Sequence, residues 1–284
     1  MKLSIIIVNW NTRELTKQTL QTLFDTTRGM DLEVFVVDNA SQDNSVEMIE
    51  KKFPHVQLIK NNDNLGFGKA NNQALAMATG EYLMLLNSDV IVHNGAMQQL
   101  VKYLDTHKDV MMVGPKLLNE DGTFQHACRR SLPDPVKAFR YLFGIDRLSK
   151  KKKTYKRLHD DPNVTEPVEA LSGAAMMFRR EVYEKIGGLD DETFFMYGED
   201  LDFCKRVKDS GWKTVYVHSA EITHLGGQSS KKRRTASIDN FYDAMWRYYQ
   251  KHFANNSQIV KALVRLGIGM RHLQARIQNS IKPS

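Results

Sequence analysis

The chain has 284 residues, 42% of them hydrophobic and 26% charged, enough for one large soluble domain or one domain with an appendage. The apolar stretch Leu3 to Trp10 is too short to span a bilayer and no small-residue cleavage site follows it, so a cytoplasmic protein is expected; Cys128 and Cys204 stand far apart, which excludes a disulfide framework and leaves them as core fillers. The net charge of +7 gathers in two runs, Lys150 to Lys153 with Lys156 and Arg157, and Lys231 to Arg234. Such runs either meet an anion (nucleic acid, lipid or diphosphate) or are solvated loops.

Leu3 to Val8 is a β-branched run of strand length, and Asn11-Thr12-Arg13-Glu14 then reads as a capping box opening a helix with Leu15, Thr19 and Leu23 inward. The unit recurs. Glu33 to Val37 is a strand, Asn44 to Glu47 caps a helix, Val56 to Ile59 is a third strand, and Lys69 to Thr79 is a helix with Gly80 as its C-cap. Tyr82 to Leu86, a helix over Asn94 to His107, and Val110 to Val113 follow. Continuous apolar runs between amphipathic helices predict an α/β fold, a mostly parallel central sheet flanked by helices.

Beyond Pro115 the texture changes: Asn119-Glu120-Asp121-Gly122 reads as a hairpin turn, and Ser131 to Pro167 as a long excursion on the acceptor side. An apolar strand, Glu169 to Phe178, precedes a helix stopped by Gly187-Gly188, and Thr214 to Val217 is a further strand. The stretch from about Ala236 to Ile281 is a helical C-terminal extension. Its first half places Ile238, Phe241, Tyr242, Met245, Tyr249 and Phe253 on one face; its second sets Ile259, Leu263, Leu266, Met270, Leu273 and Ile277 against Lys261, Arg265, Arg271 and Arg276. That basic amphipathic segment either docks on the rest of the protein or another subunit, or lies on an anionic membrane surface.

Three clusters carry the chemistry. Asp38 ends a strand, at the sheet edge where open α/β folds bind ligands, and its carboxylate suits the imide N–H of a pyrimidine; Asp43 is explained nearly as well by capping the next helix. Asn64-Leu65-Gly66-Phe67-Gly68, then Asn71, is a glycine-containing turn at a helix start, without the spacing of a dinucleotide fingerprint or a P-loop. Asn87-Ser88-Asp89 ends another strand, where a carboxylate with diphosphate oxygens and waters holds Mg²⁺ or Mn²⁺, and His224 is a candidate nitrogen ligand. Glu199 and Asp200 open a helix behind Gly198; the helix dipole accounts for acids there, and a general base for a sugar hydroxyl requires one.

In combination and order, Ile5 to Asn11, Val37 to Asp43, Asn64 to Phe67, Leu86 to Asp89, Ser172-Gly173-Ala174, Gly187 to Asp190 and Gly198 to Asp202 resemble the family 2 glycosyltransferases of GT-A fold, and among them bacterial rhamnosyltransferases that extend surface polysaccharides from dTDP-L-rhamnose. The resemblance runs from about Lys2 to Gly227. It implies a nucleotide-diphospho-sugar transferase domain over residues 1–227 with an extension over 228–284, a nucleotide-sugar donor, a glycan or lipid-linked glycan acceptor, and a divalent metal, Mg²⁺ or Mn²⁺.

Residue by residue, it implies that Asp38 reads the base, that Val8, Asn9, Asn11, Asn39, Asn64, Gly66, Phe67, Asn71, Asn87, Ser88 and Arg233 contribute to the donor site, and that Asp89 and His224 hold the metal. Asp200, beside Glu199, would be the base of an inverting single displacement. Asn87 stands where the family often has the first Asp of its Asp-X-Asp motif. A nucleic-acid partner is not expected, because no aromatic-basic motif accompanies the charge runs; an oligomer and a peripheral place on the inner face of the cell membrane stay open.

Overall fold

The computed structural model describes residues 2–134, 157, 160–226 and 234–281. Arg233, Gly227, the Lys150 to Lys153 run with Lys156, most of the second basic run, much of the expected excursion, and the expected boundary between residues 227 and 228 lie outside the described residues.

Strand β1 (Lys2–Asn9) is buried through Ile5, Ile6 and Ile7 because it has a neighbour on each side and helices on both faces. It pairs in parallel with β2 (Asp31–Asp38), which pairs in parallel with β3 (Gln57–Lys60), and on its other edge with β4 (Tyr82–Asn87). The helices between them are α1 (Arg13–Thr26), α2 (Ser45–Lys52) and α3 (Phe67–Met77). Then come β5 (Val90–Val92), α4 (Ala96–Thr106) and β6 (Val110–Leu118), a 3₁₀ turn over His126–Cys128, and the short strands β7 (Arg129–Arg130), β8 (Glu166–Pro167) and β9 (Ala170–Leu171). After β10 (Ala175–Arg179) follow α5 (Arg180–Ile186), α6 (Glu199–Asp209), β11 (Lys213–His224), α7 (Arg234–His252) and α8 (Gln258–Ile281).

Among the described residues the main sheet runs β3-β2-β1-β4-β10-β6-β11-β5, with β8 on β11. It is a mixed sheet. The half built of β3, β2, β1 and β4 is parallel, as the recurring strand-helix units predict, whereas β10 enters antiparallel between β4 and β6. A continuous apolar run reads the same in either direction, so periodicity does not reveal that reversal.

Several local expectations change. No side-chain cap closes α1 from within the predicted box; Asp43 from the next loop accepts from Arg13 N at 2.8 Å and from Ser45 N at 3.2 Å, serving the first turns of both α1 and α2. Gly80 does not cap α3, which ends at Ala78 in extended backbone; a Cβ on Gly80 would lie 2.6 Å from Ser4 N, so this glycine lets the chain pass against β1. The expected strand from Glu169 to Phe178 is two strands separated by Ser172-Gly173-Ala174, and β11 is one long strand with a register shift between Val217 and Glu221.

The C-terminal helices pack on each other through Tyr249, Val264 and Ile268, and α7 docks through Ala244 and Tyr248 against Phe194. The row Ile259, Leu263, Leu266, Met270, Leu273 and Ile277 therefore faces outward, with Ile259 74% and Leu273 62% exposed. Charge fastens this unit as well. Asp202, fully buried, accepts from Arg206 Nε at 2.8 Å, His252 Nε2 at 2.8 Å and Lys251 Nζ at 2.6 Å, and Lys251 also reaches Asp190 at 2.6 Å.

Candidate active site

The parallel registers bring strand ends together: Asn9 stands opposite Asp38 and Val8 opposite Asn87. A cleft of ≈330 Å³ opens beyond them. Of the residues expected from the sequence, Val8, Asn39, Asn64, Gly66, Phe67, Asn87, Ser88, Asp89, Glu199, Asp200 and His224 line it.

Asp38, Asn9, Asn11 and Asn71 do not line it. Asp38 is 1% exposed; its Oδ1 accepts from Asn9 Nδ2 at 2.6 Å and its Oδ2 from Ser41 N at 2.9 Å. Asn9 in turn accepts the hydroxyls of Thr12 and Thr16, both at 2.7 Å. Asn11, at φ 53°, accepts from Gln42 N at 2.7 Å, and Asn71 donates to Phe67 O at 2.8 Å. These side chains shape the loop that presents Asn39 to the cleft. The buried Asp38 carboxylate takes one protein donor on each oxygen.

The glycine turn is also committed inward. Gly66 N donates to Asn64 Oδ1 at 3.0 Å and Phe67 N to Phe195 O at 3.1 Å, so these two N–H groups do not face an anion. Gly66 has φ 85°, and a Cβ there would stand 2.4 Å from Phe195 O.

The segment Asn87-Ser88-Asp89 is pinned from below: Thr19 Oγ1 donates to Ser88 O at 3.0 Å, and the Ser88 and Thr12 hydroxyls are 3.1 Å apart. Antiparallel pairing of β5 with β11 sets His224 opposite Val90 and so beside Asp89. His224 Nε2 lies 3.3 Å from Asp89 Oδ1 and 3.2 Å from Asn87 Nδ2, while its Nδ1 lies 2.8 Å from Gln125 Oε1. The Gln125 amide nitrogen is directed at Asn119 Oδ1, at 3.1 Å, which leaves its oxygen for the imidazole. Nδ1 therefore donates to Gln125, and Nε2 is left to accept from Asn87 Nδ2 beside Asp89.

Adjacent ligands on an octahedral cation stand about 3 Å apart, and a carboxylate oxygen with an imidazole nitrogen is a donor set that Mn²⁺ accepts. The Asp89–His224 pair fits such an ion. Among the described residues no third His, Cys, Asp or Glu joins them, so the remaining positions fall to the ligand and to water.

Across the cleft, Tyr197 and Gly198 adopt positive φ, 67° and 85°, and turn the chain into α6 with Glu199 and Asp200 in its first turn. A Cβ on Gly198 would crowd the Phe194 ring at 2.9 Å, which requires glycine there. Asp200 Oδ2 accepts from Arg130 at 2.5 Å and from Gly173 N at 3.2 Å, and Oδ1 from Leu201 N at 2.8 Å. The interruption between β9 and β10 thus has a use, delivering the Gly173 N–H to the acid. Glu199 is 6% exposed and its Oε2 has no hydrogen-bond partner; burial, and then the neighbouring Asp200, push its carboxyl well above the usual carboxylate range.

Arg130, Gln125, Trp10 and Tyr197 are site residues that sequence reasoning missed. For Arg130 a signal exists: in the strand Arg129–Arg130 alternation sends neighbours to opposite sides, and Arg129 is fully buried against Glu166 and the Tyr216 ring while Arg130 reaches Asp200. Arg157, the described end of the first basic run, is held by Asp160 and Glu166.

Residues 4–187 match the family described as Glycosyl transferase family 2, and residues 153–227 match one described as N-terminal domain of galactosyltransferase. An N-acetylglucosaminyl-diphospho-decaprenol L-rhamnosyltransferase of Mycobacterium tuberculosis is 27% identical over 210 residues, covering 69% of this chain and 67% of its own. The rhamnosyltransferase WbbL of Escherichia coli is 23% identical over 66% of this chain and 67% of its own. Among solved structures, a mannosyltransferase from Pyrobaculum calidifontis in complex with GDP-Man and Mn²⁺ superposes with a TM-score of 0.60 at 16% identity, over 99% of this chain and 76% of that one.

Proposed function

Because this chain belongs to glycosyl transferase family 2, and is a glycosyltransferase, we propose that it transfers L-rhamnose from dTDP-L-rhamnose to a hydroxyl of a growing surface glycan, with inversion at the anomeric carbon. The observation that carries the mechanism is that Asp200 and the Asp89–His224 pair line one cleft. The choice of sugar rests on relatives named as rhamnosyltransferases.

Asp200 accepts the proton of the acceptor hydroxyl as that oxygen attacks the anomeric carbon. Arg130 and the Gly173 N–H hold Oδ2 while Leu201 N–H holds Oδ1, so the carboxylate enters the reaction already oriented. Burial and the Asp200 charge push the adjoining Glu199 carboxyl upward, which disfavours a second negative charge beside the base. Asp89 and His224 would hold Mn²⁺ or Mg²⁺ at the donor diphosphate. Bound there, the cation supplies Lewis-acid stabilisation of the departing nucleoside diphosphate.

The acceptor in this reading is lipid-linked, and the protein works peripherally at an anionic membrane surface. Support comes from the outward apolar row of α8 and its neighbours Lys261, Arg265 and Arg271; among the described residues no helix is long and apolar enough to cross a membrane.

The test is a panel of UDP-, GDP- and dTDP-sugars, each with Mn²⁺ or chelator, read by melting temperature and by nucleoside diphosphate release with acceptor. dTDP-L-rhamnose is expected to stabilise the protein and release dTDP. Response to a UDP-hexose alone would replace the donor, and response to none would refute the reading.

A further inference from the structure

Beside the donor cleft lies a second cavity of ≈150 Å³, set between the start of α6 and the two C-terminal helices. Tyr197, Glu199 and Asp200 belong to the walls of both, so the spaces meet at the proposed base. Their character differs sharply. The donor side carries amides, carboxylates and an imidazole, whereas the second chamber, though Asp134, Tyr248 and the two shared acids belong to its wall, is mostly apolar, with Leu201, Phe241, Met245, Tyr249, Val264 and Ile268 around it. Arg130 lines it too and places a guanidinium at the junction, 2.5 Å from Asp200.

We infer that this chamber receives the first isoprenoid segment of an acceptor joined to its lipid through phosphate, an inference that rests on the glycosyltransferase reading of the adjoining cleft. An apolar cavity of this size takes a ligand of about six carbons, room for one five-carbon isoprene unit. A sugar ring would set most of its hydroxyls against the apolar part of that lining. The occupant must also leave the protein along an apolar route, and α8, which supplies Val264 and Ile268 to the wall, bears the exposed row Leu263, Leu266, Met270 and Leu273 beside them. Arg130 provides charge complementarity for a phosphate at the polar end.

Farnesyl phosphate, titrated into the full chain calorimetrically below its critical micelle concentration, tests this without turnover. Saturable binding of one molecule per chain is expected, with inorganic phosphate binding far more weakly. Met245→Trp, which fills the chamber, should weaken farnesyl phosphate about tenfold or more while leaving the melting-temperature rise from dTDP with Mn²⁺ unchanged. Phe241→Asp, at a position 40% exposed and so safe for folding, should weaken it similarly. Absence of saturable binding, equal affinity for inorganic phosphate, or unchanged affinity in both variants would overturn the inference. So would a concentration-dependent dimer that Met245→Trp dissolves, since a second copy would then be the occupant. The dTDP arm reports on the donor reading separately: loss there with farnesyl phosphate binding intact would count against the cleft and leave the chamber standing.

Discussion

Replacing Asp200 by Asn keeps the size of the side chain and removes the proton acceptor. In the native site Oδ2 takes hydrogen bonds from Arg130 and Gly173 N, and Oδ1 takes one from Leu201 N. An amide has one oxygen, so whichever way it turns, its NH₂ group confronts an N–H donor and at least one of these bonds is lost. That loss costs about 1–3 kcal/mol of stability, a drop of a few degrees in melting temperature, without unfolding a chain of this size. The chemical step loses its general base, an effect of about 10²–10⁴-fold on kcat. Donor binding, carried by the opposite wall through Asn39, Asn87, Asp89 and His224, should change little. The assay is nucleoside diphosphate release under saturating donor and acceptor, with donor affinity read from the thermal shift. A wild-type kcat would refute Asp200 as the base. A tenfold weakening of donor affinity with unchanged kcat would assign the residue to binding instead.

Gln125→Leu removes the oxygen that fixes the His224 tautomer, and should raise the Mn²⁺ concentration for half-maximal activation by about 10–100-fold; an unchanged midpoint would show that His224 is not a ligand. Burial raises the Asp202 pKa, but hydrogen bonds from His252 and Lys251 and the Arg206 charge outweigh it and hold the carboxyl well below its ordinary 3.8. A depressed folded pKa contributes stability that is present above about pH 4 and lost as pH falls below it. Asp202→Ala, measured by urea unfolding, should therefore cost about 3–5 kcal/mol near neutrality and less in acid; a cost independent of pH would exclude the ion-pair explanation. Gly66→Ala sets a Cβ against Phe195 O at a φ of 85°, so stability should fall by about 1–3 kcal/mol together with donor affinity, and a neutral result would mean that this turn relaxes freely.

Much of the site was legible in residue order because parallel strands alternating with helices deliver their carboxyl ends to one edge. Val8, Asn39, Asn87 and Asp89 reach the cleft for that reason, Glu199 and Asp200 because the Tyr197-Gly198 turn opens α6 toward it, and His224 because β5 and β11 pair. Asp38 shows what residue order does not carry: its carboxylate at a strand end is 1% exposed and accepts from Asn9, one strand away. Arg130 and Gln125 carried no motif; each is a long side chain whose target, Asp200 or His224, is distant in sequence and near in space.

The C-terminal helices divide the same way. Their periodicity located both α7 and α8, and the charges opposite the apolar row were visible as well. Which row turns inward was decided by shape: Val264 and Ile268 meet Tyr249 at close range, and Asp202 draws Lys251 and His252 onto the start of α6. Local pattern thus determined the elements, the chain order of the acids and the edge on which they gather, since these follow from backbone hydrogen bonding and side-chain period. Tertiary packing alone decided which carboxylates line the cleft and which are buried away from it, because that depends on how elements distant in sequence pack around each one.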